Sequence, residues 1–176
     1  NNKESKIIKK KKKNKLVPIF EDVPLHSFIK NNVIETKLGP FFQDNFGWFY
    51  SKYKNPAYVP FDSNDSVNTK AGNLGLRICY EGTFSEMFRE QVKNDAEVLV
   101  LLSSDSMFGE NSIMPYTDFN TNIVRAVENG RYLIRNDNFG KSGIINPNGE
   151  IIKESKVNEK TTLTTDYKTI KKKTNY

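Results

Sequence analysis

The sequence predicts an α/β layered domain in which helices cover a sheet. Three observations lead there. Short apolar runs recur between amphipathic stretches across residues 74–146. Turn-forming residues separate them, and the chain's 176 residues fit one domain with one core. The fold class follows from that alternation, because strands that each lead into a helix stack naturally as a sheet with a helical layer.

The elements follow in order. Residues 16–19 form a short apolar run bounded by Pro18 and acidic residues, read as a strand or strand end entering a loop. Residues 33–73 show no clean periodicity. They are crowded with Phe41, Phe42, Phe46, Trp48, Phe49, Tyr50, Tyr53 and Tyr58 among Asn, Lys, Pro and Ser. Such a segment is either a substrate-facing or membrane-interface loop, where amphipathic rings settle, or a loop whose rings pack onto the core. After Gly72 the pattern sharpens. Residues 74–80 read as a strand, 85–93 as a helix, 96–102 as a buried strand and 117–129 as a second helix. Residues 131–136 and 143–146 read as strands, the latter closing on the turn Asn146-Pro147-Asn148-Gly149.

Composition bounds the function. Hydrophobic residues make up 36% of the chain and charged residues 27%, polar but sufficient for a core. With one cysteine no intramolecular disulfide can form, and no thiol spacing suggests zinc. No apolar run approaches the ~20 residues that span a bilayer, and residues 1–15 lead into no signal-type apolar segment. The chain as given is expected to be soluble or peripheral, and the absence of an initiating Met points to a piece of something longer. The net charge of +6 comes largely from lysine runs at residues 9–13 and 171–173. They could meet phosphate or an anionic membrane, but a solvated terminus is the favoured reading and no nucleic-acid partner is expected.

Cys79 stands where an α/β site is expected. In Arg77-Ile78-Cys79-Tyr80-Glu81-Gly82 an apolar strand delivers a thiol into a tight turn just before a helix. Near a helix N-terminus a thiolate is favoured by the dipole and by unpaired amides. The plain alternative for a single Cys at a strand end is a small buried hydrophobe.

The segments Lys13-Asn14-Lys15-Leu16-Val17-Pro18-Ile19-Phe20-Glu21-Asp22-Val23-Pro24, Ile78-Cys79-Tyr80-Glu81, Arg125-Ala126-Val127-Glu128-Asn129-Gly130-Arg131 and Arg135-Asn136-Asp137-Asn138-Phe139-Gly140-Lys141-Ser142-Gly143 change the weighing. Together and in this order, across residues 13–152, they resemble the signatures of the apolipoprotein N-acyltransferase family of the nitrilase superfamily. The resemblance implies a nitrilase-type αββα sandwich over residues 1–176, incomplete on its N-terminal side. It implies acyl transfer through a thioester, from a phospholipid to the N-terminal amine of a lipoprotein, with no metal or organic cofactor. Carried onto this sequence, Cys79 is the nucleophile and Lys13 the oxyanion-stabilising lysine. Glu21 and Glu81 match acidic positions that orient the lysine or assist proton transfer. The alternatives are one more solvated lysine for Lys13 and a dipole-favoured surface acid for Glu81. His26 matches no catalytic position.

The chemistry explains these residue types. Two-step acyl transfer needs a nucleophile that attacks and leaves well, a positive donor for the oxyanion and a positioned carboxylate for the protons. The departures are also specific. Phe20 replaces the usual Gly, Ser104-Asp105-Ser106-Met107-Phe108-Gly109 stands for Asn-Asp-Ala-Trp-Phe-Gly, and Thr117-Asp118 stands for Gln-His after Pro115-Tyr116. The family's general-base glutamate lies upstream of the lysine, and Glu4 is too close to Lys13 to serve. The expectation is therefore a fragment of a bacterial inner-membrane enzyme whose domain faces outward. A soluble amidase that releases its acyl group to water, or an inactive remnant without the base, are the alternatives. Residues 161–166 read as the strand that leaves the domain, and a truncated sandwich is expected to be marginally stable.

Overall fold

The computed structural model describes residues 30–46, 66–109, 112–172 and 174. Lys13, Glu21, His26, residues 16–19 and the aromatics from Trp48 to Tyr58 lie outside the described residues. Two compact units divide the chain, one of them Asn14–Phe61. Within it, Lys30–Ile34 forms a π-helical turn and Gly39–Asn45 a short helix, α1. The Phe41 and Phe46 rings meet edge to face at 6.3 Å.

The other unit is built on one six-stranded sheet in sequential order: β1 (Val67–Thr69), β2 (Gly72–Ile78), β3 (Val98–Ser103), β4 (Leu133–Asp137), β5 (Gly143–Ile145) and β6 (Ile151–Glu154). β2, β3 and β4 are parallel; the flanking pairs are antiparallel. A 3₁₀ turn at Cys79–Thr83 and helix α2 (Ser85–Lys93) connect β2 to β3, and helix α3 (Met114–Asn129) connects β3 to β4. Two parallel crossovers of the usual hand, moving the same way along the sheet, put both helices on one face.

Side-chain alternation shows which face. Phe88 and Val92 of α2, Phe119 and Ala126 of α3, and Leu99, Leu101, Leu133 and Ile145 of the sheet form one buried cluster with Ala96. Each fully buried Leu, Ile or Phe contributes about 1.5–3 kcal/mol. Leu99 and Leu101 at the centre of that cluster hold β3 most firmly, and with it the strand ends where a site would lie. On α2 the buried residues Met87, Phe88, Gln91 and Val92 fall on one helical stripe. On the opposite face of the sheet Leu102 is 46% exposed.

The elements agree with the sequence at their centres and differ at their ends. Helix α3 begins at Met114 rather than residue 117, because Pro115 sits in the first turn, where its missing N–H costs nothing. It ends on Gly130 at φ +56, with Gly130 N–H donating to Val127 O and Arg131 N–H to Ala126 O. The Asn146–Gly149 turn is present: Asn146 Oδ1 accepts from the Asn148 and Glu150 amides, and Gly149 has φ +87. It joins β5 to β6 as a hairpin. Residues 161–166 differ from expectation. They join no ladder; the strand beside β5 is β6, and this segment meets β6 through a side chain, Lys153 Nζ donating to Thr164 O at 2.5 Å. The segment runs on and is tied at two distant points. The Tyr167 hydroxyl donates to Ala71 O (2.7 Å) and Arg131 Nη1 donates to Lys172 O (2.8 Å).

Candidate active site

β2, β3 and β4 end in register: Ile78 pairs with Leu102, and Leu102 with Asn136. Their C-terminal ends therefore bring Cys79, Asp105 and Asp137 to one edge of the sheet, the place where open α/β sheets bind ligands.

Cys79 is half-buried and its backbone has φ +52. A residue with a β-carbon enters this region only when the surroundings force it, and such strain concentrates at functional sites. The cause is local. β2 stops at Ile78, and the chain must turn at once to start the 3₁₀ turn that leads into α2. Glu81 locks the turn from inside. Its side chain is buried, and its carboxylate accepts the Ile78 amide at 2.9 Å, three residues back. The surface alternative for Glu81 is thus corrected: this carboxylate lies in the interior and braces the turn that carries Cys79. Gly82 lets the turn sit directly on β3. A β-carbon there would lie 2.6 Å from Leu101 Cδ2. Beneath the turn, buried Arg77 donates from Nε to Met87 O at 3.1 Å, and Gln91 Nε2 donates to Leu76 O at 2.8 Å, fastening α2 to β2.

The neighbouring strand ends carry a second construction. The Arg135 side chain on β4 is fully buried and meets three carboxylates: Asp105 at 2.9 Å, Asp137 at 2.6 Å and Asp118 at 2.8 Å. Its Nε donates to Lys141 O at 3.2 Å. Asp137 also accepts the amides of Phe139 and Gly140, which hold its carboxyl below the ordinary range against the opposing effect of burial. Burial pushes Asp105 up to about 6, with Arg135 pulling the other way and Asp137 and Asp118 adding to the rise. Neither Asp105 nor Arg135 carries a role in the sequence reading. The available signal was the alternation of β4, which puts position 135 on the buried face and so calls for partners. Among the described residues no group of His, Cys, Asp or Glu could hold a metal ion; the aspartates that converge do so on a guanidinium.

Of the expected site residues, then, Cys79 and Glu81 share one turn, while Lys13 and Glu21 lie outside the described residues. A strained, half-buried thiol at a strand end, before a helix, can act as a nucleophile toward a carbonyl.

Similarity to known proteins agrees with this geometry. The apolipoprotein N-acyltransferase of Wigglesworthia glossinidia brevipalpis is 34% identical over 143 residues, 77% of this chain and 24% of that protein. That of Haemophilus influenzae is 32% identical over 154 residues, 86% of this chain and 26% of that protein. The chain thus spans about a quarter of the length of these relatives. A carbon-nitrogen hydrolase from Helicobacter pylori superposes with a TM-score of 0.54 at 21% identity, over 61% of this chain and 45% of that one. A Saccharomyces cerevisiae member of branch 10 of the nitrilase superfamily gives 0.52 at 21%, over 61% and 42%. These two share the fold. Residues 2–170 match the carbon-nitrogen hydrolase family over nearly the whole sequence, and the chain belongs to that family.

Proposed function

We propose that this chain carries the nucleophile of an apolipoprotein N-acyltransferase. The observation that supports it is Cys79, strained and braced at the end of β2, in a chain whose similarity to proteins of that name runs over three-quarters of its length and more. The Cys79 thiolate attacks the ester carbonyl of a phospholipid. A C–S bond forms, the C–O bond breaks, and the lysophospholipid alkoxide leaves with a proton from the general acid. The amine of a lipoprotein's N-terminal residue then attacks the thioester. A C–N bond forms, the C–S bond breaks, and the amine's proton passes to a carboxylate while the thiolate is regenerated. Lys13 meets the oxyanion in both steps, Glu21 orients that lysine, and Glu81 holds the turn and its proton balance.

A lipid donor also suits the connection between β3 and α3. Met107, Phe108, Ile113 and Met114 are all exposed there, with Ile113 at 74%. They offer apolar surface at the strand-end side on which Cys79 lies. Among the described residues no helix is long and apolar enough to cross a membrane. Attachment to a bacterial inner membrane, with this domain on its outer face, belongs to the same proposal.

The test uses the full-length protein in detergent with phosphatidylethanolamine. Intact-mass analysis is expected to show one acyl chain on Cys79, removable by hydroxylamine, and added diacylated lipopeptide is expected to take it as an amide. Acylation that survives Cys79→Ala would sink the assignment. Ammonia release from small amides, with no acyl adduct, would make the enzyme an amidase instead.

A further inference from the structure

Arg135 is outnumbered. One guanidinium faces Asp105, Asp118 and Asp137, and the groups come from separate parts of the chain: the β3–α3 connection, the beginning of α3, and β4 itself. The turn after β4 joins them through Lys141 O on Arg135 Nε and through the Phe139 and Gly140 amides on Asp137. The Asp105 amide also donates to Asp137 Oδ1 at 3.1 Å. The packing admits no substitute at Gly140, where a β-carbon would lie 2.3 Å from Asp105 Oδ2. Asp118 reaches Arg135 from the first turns of α3, with Asp118 Oδ2 2.8 Å from Arg135 Nη1.

Two of the elements this cluster joins border the Cys79 turn. Helix α3 and β3 both pack against Cys79–Thr83, and the β3–α3 connection carries the exposed Met107 and Phe108. A planar fork can hold carboxylates from several directions at fixed angles, which a lysine ammonium cannot do.

We propose that Arg135, with Asp105, Asp118 and Asp137, is a positioning cluster for the Cys79 site, drawing the β3–α3 connection, the start of α3 and the β4–β5 turn into the arrangement that receives the acyl donor. Its effect on acyl transfer rests on the reading of Cys79 as the nucleophile; its hold on the three segments does not. The buried charges also make it sensitive to protonation. The groups facing Asp105 are Arg135 and Asp137 from β4 and Asp118 from α3. When Asp105 loses its proton, near pH 6, a further negative charge joins Asp137 at the same Arg135 nitrogen and the connection loosens.

The experiment compares full-length wild type, Arg135→Lys and Asp105→Asn in three readouts: thioester formation at Cys79 from phosphatidylethanolamine, alkylation of Cys79 by iodoacetamide, and hydrogen exchange in peptides covering residues 104–109 and 137–142. In Arg135→Lys, thioester formation is expected to fall roughly ten- to a hundredfold, as a misplaced donor would make it. Alkylation by the small reagent should stay within about twofold, and both segments should exchange faster. Asp105→Asn keeps the shape and should remove an inflection near pH 6 from the wild-type rate profile of thioester formation. Unchanged exchange in Arg135→Lys, or thioester formation within twofold of wild type despite faster exchange, would overturn the proposal. An equal loss in alkylation and acylation would also overturn it, since that reports general damage. If wild type alkylates but forms no thioester, the acyltransferase reading fails, and the cluster stands or falls on exchange in the two segments.

Discussion

Replacing Cys79 with glycine should leave a more stable protein than replacing it with alanine. Both changes remove the thiol, so the comparison isolates the backbone. At φ +52 a β-carbon crowds the following carbonyl at a cost of about 1–2 kcal/mol, which glycine escapes. Against that, glycine gives the unfolded chain about 0.5–1 kcal/mol more conformational freedom. The balance favours Cys79→Gly over Cys79→Ala by about 1 kcal/mol. In a chain of this size that is about 2–4 °C in Tm, readable by urea titration or calorimetry. Asn120, exposed within α3, supplies the control. There Asn120→Gly should be less stable than Asn120→Ala by about 1 kcal/mol, as in any helix interior. If Cys79→Gly proves equal to or weaker than Cys79→Ala, the thiol is not held in a left-handed conformation and the strain argument for the site falls.

Other substitutions test the remaining structure. Gly82→Ala puts a methyl group against Leu101 and should cost about 1–3 kcal/mol; Leu101→Val in the same chain should recover part of that loss, and strict additivity in a double-mutant cycle would show that the turn does not rest on β3. Phe119→Ala empties a fully buried position in the shared core and should cost about 3–5 kcal/mol in denaturant titration; a loss under 1 kcal/mol would place Phe119 outside the core. Asp105 keeps its proton up to about pH 6 in the fold against 3.8 when free, so its contribution is full below pH 3.8 and is lost as pH rises through 6, about 3 kcal/mol in all. Wild type should therefore weaken relative to Asp105→Asn between pH 4 and pH 7; a difference that stays constant or grows in wild type's favour would refute the assignment.

What was legible in the sequence is the βαβαβ frame and the placing of Cys79. Both depend on local signals: apolar strands, amphipathic helices and a turn between them. The left-handed backbone at Cys79 was not legible, because nothing in the residue announces positive φ; only the abrupt passage from strand to turn produces it. Glu81 has a surface acid as its alternative reading in the sequence, and its burial appears only when the carboxylate folds back on the Ile78 amide. The Arg135 cluster was the hardest to foresee. Its members are separated by up to 32 residues, and their meeting depends on the register of β3 with β4. Residues 161–166 mislead in the other direction: the resemblance implies a strand, but pairing depends on a partner edge, and these residues join no ladder.

The extended segment after β6 has a consequence for the order of folding. Its bond from Tyr167 to Ala71 closes a loop across 96 positions, and that from Arg131 to Lys172 closes one across 41. Loop closure of that length is entropically costly and is repaid only once both ends are already in place. The β2–α2–β3–α3–β4 units, with local contacts, can assemble first, and the latch across the N-terminal ends of the strands forms afterwards. During synthesis the edge strand β1 therefore waits, incompletely secured, until nearly a hundred further residues have emerged.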